Sequence, residues 1–191
     1  MTELVVFLGN PGKEYELTRH NYARRLLDAL PDSSSIPWKE KFHGKVGDWG
    51  IGTAKSRFLV PGTFMNVSGK AVAAAAGFHK VAPANLLIVH DDLELPFGQY
   101  AWRLGGGLAG HNGLKSVRDS IGTADFRRLR LGIGRPARGS VQSWVLGRFS
   151  VEEESVLPMI LSAAAGELED ILAGRKPVQD RGEPVRVYSP E

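Results

Sequence analysis

The residues of this chain that can do chemistry are a few polar side chains that stand where apolar segments end. Asn10 follows the apolar run 4–8 inside a Gly/Asn/Pro/Gly turn, and His20 stands at the expected start of a helix. Asp91 closely follows a second apolar run, 86–89. A carboxylate at the end of a buried strand is costly unless it pairs with or orients another group. We therefore treat these three residues as candidates for a site at one end of a sheet.

Such a set suits hydrolysis by an activated water molecule. A neutral histidine takes a proton from water, a carboxylate fixes its tautomer and stabilises the imidazolium, and amide side chains orient the substrate carbonyl. Two further amides, Asn66 and Asn112, stand at expected starts of helices. Helix capping explains either asparagine from local preference alone, and His20 can simply cap or pack. The pattern by itself leaves both interpretations open.

Several common classes of protein are disfavoured by what the sequence lacks. The absence of cysteine excludes disulfides, thiolate metal sites and a thiol nucleophile. The short motifs of serine hydrolases, zincins and P-loop proteins are missing, and the five histidines have no metal-ligand spacing. Residues 105–110 match G-x-G-x-x-G, but the next strand ends in Gly134 and Arg135, where a dinucleotide site needs an acid. We expect no metal and no other cofactor.

Length and composition indicate one soluble domain. The 191 residues are 42% hydrophobic and 24% charged, which is typical of a globular protein with a core. The longest apolar runs are too short to span a bilayer, and the N-terminus lacks the pattern of a secretory leader. We expect a cytoplasmic protein with a single catalytic α/β domain over residues 1–174 and a polar, loosely attached tail over residues 175–191.

Basic residues are concentrated in one part of the chain. The whole chain has a net charge of +3, but residues 103–148 hold nine Lys/Arg against two acids. Such a block favours a polyanionic partner, with nucleic acid first, whereas the same charges pointing in several directions would only keep the protein soluble. The nine residues are Arg103, Lys115, Arg118, Arg127, Arg128, Arg130, Arg135, Arg138 and Arg148.

The spacing of apolar residues predicts strands that alternate with helices. Strands buried on both faces are predicted at 4–8 and 86–89, and others at 44–49, 55–60, 99–104 and 128–133, with a turn at 50–53. Helices are predicted at about 22–30, 67–77, 113–121 and 150–174. Asn66 or Ser68 is a natural N-cap for the second helix, and Asn112 can cap the third. Ser150 and Glu153 form a capping box, and Pro158 indicates a kink or a fresh start.

Taken together, these motifs resemble bacterial peptidyl-tRNA hydrolases. The similarity runs in order from residue 4 to about residue 149. It rests on Asn10, Pro11, Gly12, Tyr15, Thr18, Arg19, His20 and Asn21; on Phe64, Met65, Asn66, Ser68 and Gly69; on His90, Asp91 and Leu93; on Gly105 to Gly107 with Gly110 to Leu114; and on Arg128 to Gly134.

The resemblance implies one α/β domain with a mixed, twisted sheet flanked by helices, and cleavage of the ester that joins a peptide to tRNA. By the same resemblance, His20 is the general base and Asp91 its partner. The implied substrate-binding residues are Asn10 and Asn66, which hold the water and the carbonyl region, Asn112, which orients water and peptide, and Tyr15, Phe64 and Met65. The implied partner is peptidyl-tRNA, bound by a monomer.

For the tRNA itself, the resemblance implies that Arg103 and Arg130 clamp the 5′-phosphate, with Lys115 as a further phosphate-binding residue. Lysine usually stands at the first of these positions, so bidentate contacts become available here. Residues 105–111 and 135–148 are implied to form a gate and a lid. Leu108 stands where the family often has His, and Phe7 where it often has Gly, which affects local packing rather than the proposed chemistry.

Two other functions compete with this ester hydrolase. One is an RNA-binding protein of the same fold that does not hydrolyse its ligand, against which the intact His20 and Asp91 argue. The other is a hydrolase of small phosphates or nucleotides, which would need metal ligands that the sequence does not offer.

Overall fold

One mixed β-sheet organises the part of the chain that the computed structural model describes, residues 4–51 and 54–189. Its strands there are β1 (Leu4–Phe7), β2 (Lys39–Lys41), β3 (Gly44–Ile51), β4 (Ala54–Pro61), β5 (Leu86–Asp92), β6 (Gln99–Leu104), β7 (Arg127–Gly132) and β8 (Val185–Arg186). They lie in the order β2-β3-β4-β1-β5-β7-β6-β8. The four central strands β4, β1, β5 and β7 run parallel, and antiparallel strands complete both edges.

Helices cover both faces of this sheet. They are α1 (Tyr22–Ala29), α2 (Ser68–His79), α3 (Asn112–Ile121), the short α4 (Val141–Val145) and α5 (Val151–Leu172). Apolar side chains of α1 and α5 pack on one face, and those of α2 and α3 pack on the other. Of the helices in the described ranges, none is long and apolar enough to cross a membrane.

The two central strands explain why the sheet lies inside the molecule. β1 and β5 pair in parallel, and every residue of both is buried. Side chains alternate along a strand, so Val5 and Phe7 join the core under α1 and α5, whereas Leu4 and Val6 join the core under α2 and α3. The predicted fold class, a single α/β domain with a mixed sheet flanked by helices, is confirmed.

Some element ends differ from the prediction. β5 continues through His90 and Asp91 to Asp92, so the acids belong to the strand rather than following it. The three-residue strand β2 was not predicted, since its Lys-Glu-Lys sequence has no apolar signal. The predicted turn at 50–53 lies partly outside the described residues.

The predicted helix caps are partly wrong. α2 begins after Val67, and among the described residues no side chain caps it, so neither Asn66 nor Ser68 does so. The cap of α3 is His111, whose ring accepts hydrogen bonds from the next two free amides of the helix, and Asn112 is the first helical residue. The capping box of Ser150 with Glu153 at α5 is confirmed, and the helix runs through Pro158.

The segment after α5 is attached more firmly than expected. Residues 180–188 run antiparallel along β6, and β8 pairs Val185 with Tyr100. The amide of Leu104 donates to the carbonyl of Asp180 at 2.6 Å, and the amides of residues 187 and 188 donate to the carbonyl of Gly98. The expectation of a loose tail is therefore wrong, because backbone pairing does not require an apolar sequence. The division of the chain at residue 174 stays a prediction.

Candidate active site

A cleft opens where the parallel strands end. Because β1, β4, β5 and β7 are parallel, their carboxyl ends share one edge of the sheet, where ligands bind in open α/β folds. The cleft has a volume of about 820 Å³. The predicted residues on its wall are Asn10, Tyr15, His20, Phe64, Met65, Asn66, Asp91 and Asn112, and they are joined there by His90, Asp92, Leu93, residues 108–111, Arg135, Val141, Gln142, Val145 and Leu146.

His20 and Asp91 meet at the floor of the cleft. His20 lies in a 3₁₀ turn, Arg19–Asn21, that leads into α1, and its Nδ1 is 2.9 and 3.0 Å from the two carboxylate oxygens of Asp91. Nδ1 therefore carries the proton and donates it, which leaves the lone pair of Nε2 on the opposite side of the ring. Burial lowers the pKa of His20, but the charge and hydrogen bond of Asp91 outweigh it and raise this pKa above 6.5.

His111 donates a second hydrogen bond to the same carboxylate. Its Nε2 lies 3.0 Å from Oδ1 of Asp91, while its Nδ1 accepts the amides of Gly113 and Leu114 at 3.1 and 3.3 Å. The amides fix the tautomer, because a ring nitrogen that accepts an N–H must be unprotonated. Burial alone would raise the pKa of Asp91, but the two histidines hold it far below its ordinary value. Asp91 is thus ionised and bonded on two sides.

The hydrogen bonds that His111 accepts as the cap of α3 also affect whether this site can hold a metal. One ligand atom each of His20, Asp91 and His111 lies within 4.8 Å of the others, a grouping that the sequence spacing did not indicate. A metal on Nε2 of His111 would move the ring proton to Nδ1, where it would face the amides of Gly113 and Leu114. The hydrogen bonds thus favour a carboxylate between two imidazoles over a metal centre. That no metal is needed stays a prediction.

Asn10 presents its amide nitrogen to the cleft. Its Oδ1 accepts the amide of Met65 at 2.8 Å, so the Nδ2 group is left for a ligand. Its backbone is fixed by Asn21, which accepts from the amide of Asn10 at 2.8 Å and donates to its carbonyl at 2.9 Å. The residue is only 6% exposed. A strand end held in this way offers a donor that needs no reorganisation.

A half-buried arginine holds the same turn. Arg24 of α1 donates to the carbonyls of Gly9, Asn10 and Pro61 at 2.7–2.8 Å and so joins the ends of β1 and β4. Burial lowers the pKa of Arg24 to about 10, so it remains charged at neutral pH. A Cβ at Gly9 would lie 2.6 Å from Nε of Arg24, which explains the glycine. Nothing near Arg24 in the sequence indicates this role.

Asn66 and Asn112 lie on the cleft wall rather than in caps. Both are exposed, and neither side chain makes a hydrogen bond to any other residue in the ranges that the structure describes. Their amides can therefore serve a bound ligand. The wall beside them is apolar: Tyr15 packs edge-to-face on Phe64, which is 54% exposed, and Met65 is buried. The cleft thus combines polar groups on its floor with an apolar wall.

Comparisons with known proteins agree with one another. The family model described as peptidyl-tRNA hydrolase matches residues 4–185. The chain belongs to the peptidyl-tRNA hydrolase family. The peptidyl-tRNA hydrolase of Neisseria meningitidis serogroup C is 46% identical over 176 residues, which cover 91% of this chain and 92% of the relative. That of Nitratidesulfovibrio vulgaris strain DP4 is 45% identical over 172 residues, with 84% and 86% covered.

A solved structure of the family has the same architecture. The crystal structure of the Acinetobacter baumannii peptidyl-tRNA hydrolase superposes with a TM-score of 0.83 at 37% identity, and the match covers 91% of this chain and 89% of that one. The identity is high enough to support a shared family as well as a shared fold.

In this member of the peptidyl-tRNA hydrolase family, the segment 135–148 is held beside His20. The guanidinium of Arg19 lies 3.6 Å from the ring centre of Trp144 and donates to Glu153 at 2.6 Å. The amide of Arg19 donates to the carbonyl of Gly147 at 2.9 Å. Val141 of α4 and Leu146, the residue that follows this helix, thereby lie on the cleft wall. That this segment moves as a lid, and that residues 105–111 move as a gate, are both still predictions.

The basic residues expected to bind tRNA lie outside the cleft, on one face of the sheet. Arg103 of β6 is directly opposite Arg128 of β7, and Ala101 is opposite Arg130, so Arg103 and Arg130 are diagonal neighbours on one face. Nε of Arg130 donates to Asp92 at 2.8 Å, which leaves its two terminal nitrogens for a ligand. Lys115 is exposed on α3, one turn beyond Asn112.

Proposed function

We propose that this chain hydrolyses the ester between peptide and tRNA, with His20 as the general base. The hydrolysis of peptidyl-tRNA follows from membership in the family. The observation that carries the residue roles is the hydrogen bond from Nδ1 of His20 to Asp91, which leaves Nε2 as a proton acceptor at the cleft. We further propose that the protein acts as a monomer in the cytoplasm, where translation supplies the substrate.

In the proposed reaction, Nε2 of His20 removes a proton from a water molecule as the water oxygen attacks the ester carbonyl. Asp91 stabilises the imidazolium that forms, and His111 keeps Asp91 in place. The bond between the carbonyl carbon and the ribose oxygen then breaks, and the imidazolium returns its proton to that oxygen. The products are a tRNA with a free ribose hydroxyl and a peptide with a free carboxylic acid, which releases its proton to solvent and becomes a carboxylate. Proton transfer of this kind contributes roughly 10²–10⁴-fold to a rate.

The side-chain amides of the three asparagines are assigned to orienting the water and the substrate. The Nδ2 group of Asn10 is available because its Oδ1 is engaged by Met65, so we assign it to the water and the carbonyl region together with Asn66. Asn112 is assigned to the water and the peptide. Tyr15, Phe64 and Met65 form an apolar wall suited to an uncharged peptide, since burying a free α-amino charge there would cost free energy. This wall supports a preference for N-blocked substrates.

Arg103, Arg130 and Lys115 are assigned to phosphates of the tRNA. Their support is position and charge: the two arginines share one face of the sheet, and Arg130 is already oriented by Asp92. Guanidinium groups bind phosphate in a bidentate manner, so two of them can fix the backbone of the substrate relative to the cleft.

The first experiment compares release of tRNA from N-acetylaminoacyl-tRNA with release from the unblocked aminoacyl-tRNA. We expect cleavage of the blocked ester alone, and a drop in kcat of about 10²–10⁴-fold in His20→Ala. His43→Ala is the matched control, because His43 is an exposed histidine outside the cleft. Tight tRNA binding by the wild type without cleavage would instead support the RNA-binding alternative.

A further inference from the structure

Three arginines stand side by side on adjacent strands, and we call Arg128, Arg103 and Arg181 the basic row. Arg128 of β7 is directly opposite Arg103 of β6, and Arg103 is in turn opposite Arg181 of the C-terminal segment. Directly opposite residues project from the same face of a sheet. Adjacent strands lie about 4.8 Å apart, so the backbone of the row spans roughly 10 Å.

The pairing of Arg103 with Arg181 is of the close type. The hydrogen bonds that flank the pair join Leu104 to Asp180 and Gly182 to Trp102, so the two arginines themselves exchange none. In an antiparallel ladder this is the non-hydrogen-bonded position, where the α-carbons and side chains approach most closely. Like charges placed directly opposite one another destabilise a sheet. The pair therefore costs folding free energy.

Nearby acids do not neutralise the row. In the described part of the chain, neither Arg103 nor Arg181 forms an ion pair. Asp180 is bonded to Nε of Arg127 at 2.8 Å, and Asp92 is bonded to Arg130. Arg128 is buried and donates to the carbonyl of Gly105; its pKa is lowered to about 10 by burial and by the neighbouring Arg103 and Arg130, so it still carries its charge at neutral pH.

The basic row projects from the face of the sheet that is opposite α5. Its outermost residue, Arg181, is exposed to solvent. Tyr100 and Trp102, which alternate with Arg103 along β6, both donate to Glu167 of α5, so Arg103 projects from the opposite face. The guanidinium of Arg103 lies against Gly106, since a Cβ at Gly106 would be 2.5 Å from Nη2 of Arg103. The row thus continues the Arg103 and Arg130 surface outwards to the edge of the sheet.

From this arrangement we propose that Arg181 binds a backbone phosphate of the tRNA and that the C-terminal segment 180–188 belongs to the tRNA-binding surface. The proposal rests on the proposed function for the identity of the polyanion. An uncompensated row of cations gains free energy when a polyanion binds, because counterions are released and the repulsion within the row is relieved. The phosphate bound there lies further from the scissile ester than the one at Arg130.

The experiment measures binding of deacylated tRNA, which needs no hydrolysis, across a range of salt concentrations. Arg181→Ala should raise Kd roughly three- to tenfold and reduce the slope of log K against log salt by about 1, as expected for one lost phosphate contact. Arg103→Ala serves as the positive reference. Lys39→Ala is the matched control, since it removes an exposed cation from β2, at the opposite edge of the sheet.

Two further readouts separate a binding role from a structural one. Removal of Arg181 relieves its repulsion with Arg103, so the thermal midpoint should stay the same or rise, and Arg181→Lys should restore most of the affinity. Cleavage of an N-acetylaminoacyl ester of adenosine, which carries the bond but no phosphate, should be unchanged.

Equal binding by the Arg181→Ala and Lys39→Ala variants would overturn the proposal, and so would a fall in thermal midpoint that accounts for the loss of binding. A wild type that binds tRNA in this salt-dependent manner but cleaves no ester would refute the proposed function while leaving the role of Arg181 intact.

Discussion

The cleft and the basic row lie on the same sheet, but their charges have different surroundings. In the cleft, Asp91 accepts hydrogen bonds from two imidazoles, and Asp92 beside it is bonded to Arg130. In the basic row, Arg103 has an arginine on each side. Paired charges hold a fixed geometry in the free protein, as catalysis requires. Unpaired cations are stabilised only when a polyanion arrives. Changes in the cleft should therefore affect turnover, and changes in the row should affect affinity and its dependence on salt.

The largest effect is expected for Asp91→Asn, which removes the charge between the two imidazoles. An asparagine whose oxygen takes the position of Oδ1 still accepts the N–H of His111, but it carries no charge to stabilise the imidazolium, and its NH₂ group replaces Oδ2, 3.0 Å from Nδ1 of His20, which disfavours the proton on Nδ1 and favours it on Nε2. The base is then lost, and kcat should fall roughly 10²–10⁴-fold. The Kd for deacylated tRNA and its salt slope, measured in parallel, should match the wild type. A variant that lost affinity as much as turnover would break the distinction between the two regions.

A smaller effect is expected for His111→Asn. Asparagine is a favoured helix cap, so α3 keeps its cap, but the hydrogen bond from Nε2 to Asp91 is removed. We expect kcat to fall about tenfold as Asp91 loses one of its two partners, with the thermal midpoint close to that of the wild type. His111→Ala is the comparison variant, because it should lose the same bond and also about 1 kcal/mol of cap stability. If His111→Asn retained full activity, the second hydrogen bond would have no role in turnover.

The smallest effects concern pH. Since Asp91 raises the pKa of His20 above 6.5, kcat/KM should fall as the pH drops through a value above 6.5. The contribution of His20 to stability has the opposite sign: it is fully present below 6.5 and is lost as the pH rises through the raised pKa of the folded state. Activity and the free energy of unfolding, measured on the same samples, should thus change in opposite directions between these two pKa values. In Asp91→Asn, which lacks the carboxylate that raises the pKa of His20, activity and the free energy of unfolding should no longer change in opposite directions over this pH range.

The central sheet could be predicted from the sequence because its strands have one-dimensional signals. The runs 4–8 and 86–89 are apolar at every position, as strands buried on both faces require. Asp91 stood out because a carboxylate beside such a run is costly. These features need only the identities of neighbouring residues, so no knowledge of distant contacts was required to find them.

The parts that escaped prediction depend on distant contacts. His111 caps α3 locally, but its bond to Asp91 joins residues 20 positions apart, and nothing near His111 in the sequence indicates it. Arg24 holds the carbonyl of Pro61, 37 positions away. The asparagines at 66 and 112 were ambiguous because a cap and a cleft wall both occur at helix starts. The C-terminal segment is polar, so its pairing with β6 has no apolar signature.

The eight-stranded sheet has two outer edges, and each is protected against joining the sheet of another molecule. At one edge, β2 is only three residues long and reads Lys-Glu-Lys, so a second chain would meet charge along a short strand. At the other, residues 180–188 cover the backbone of β6, and Pro184 interrupts the covering segment before the two-residue β8. A chain that ended at Gly174 would leave the amides and carbonyls of β6 open to edge-to-edge association. The segment that carries Arg181 therefore also covers the edge of β6 against such pairing.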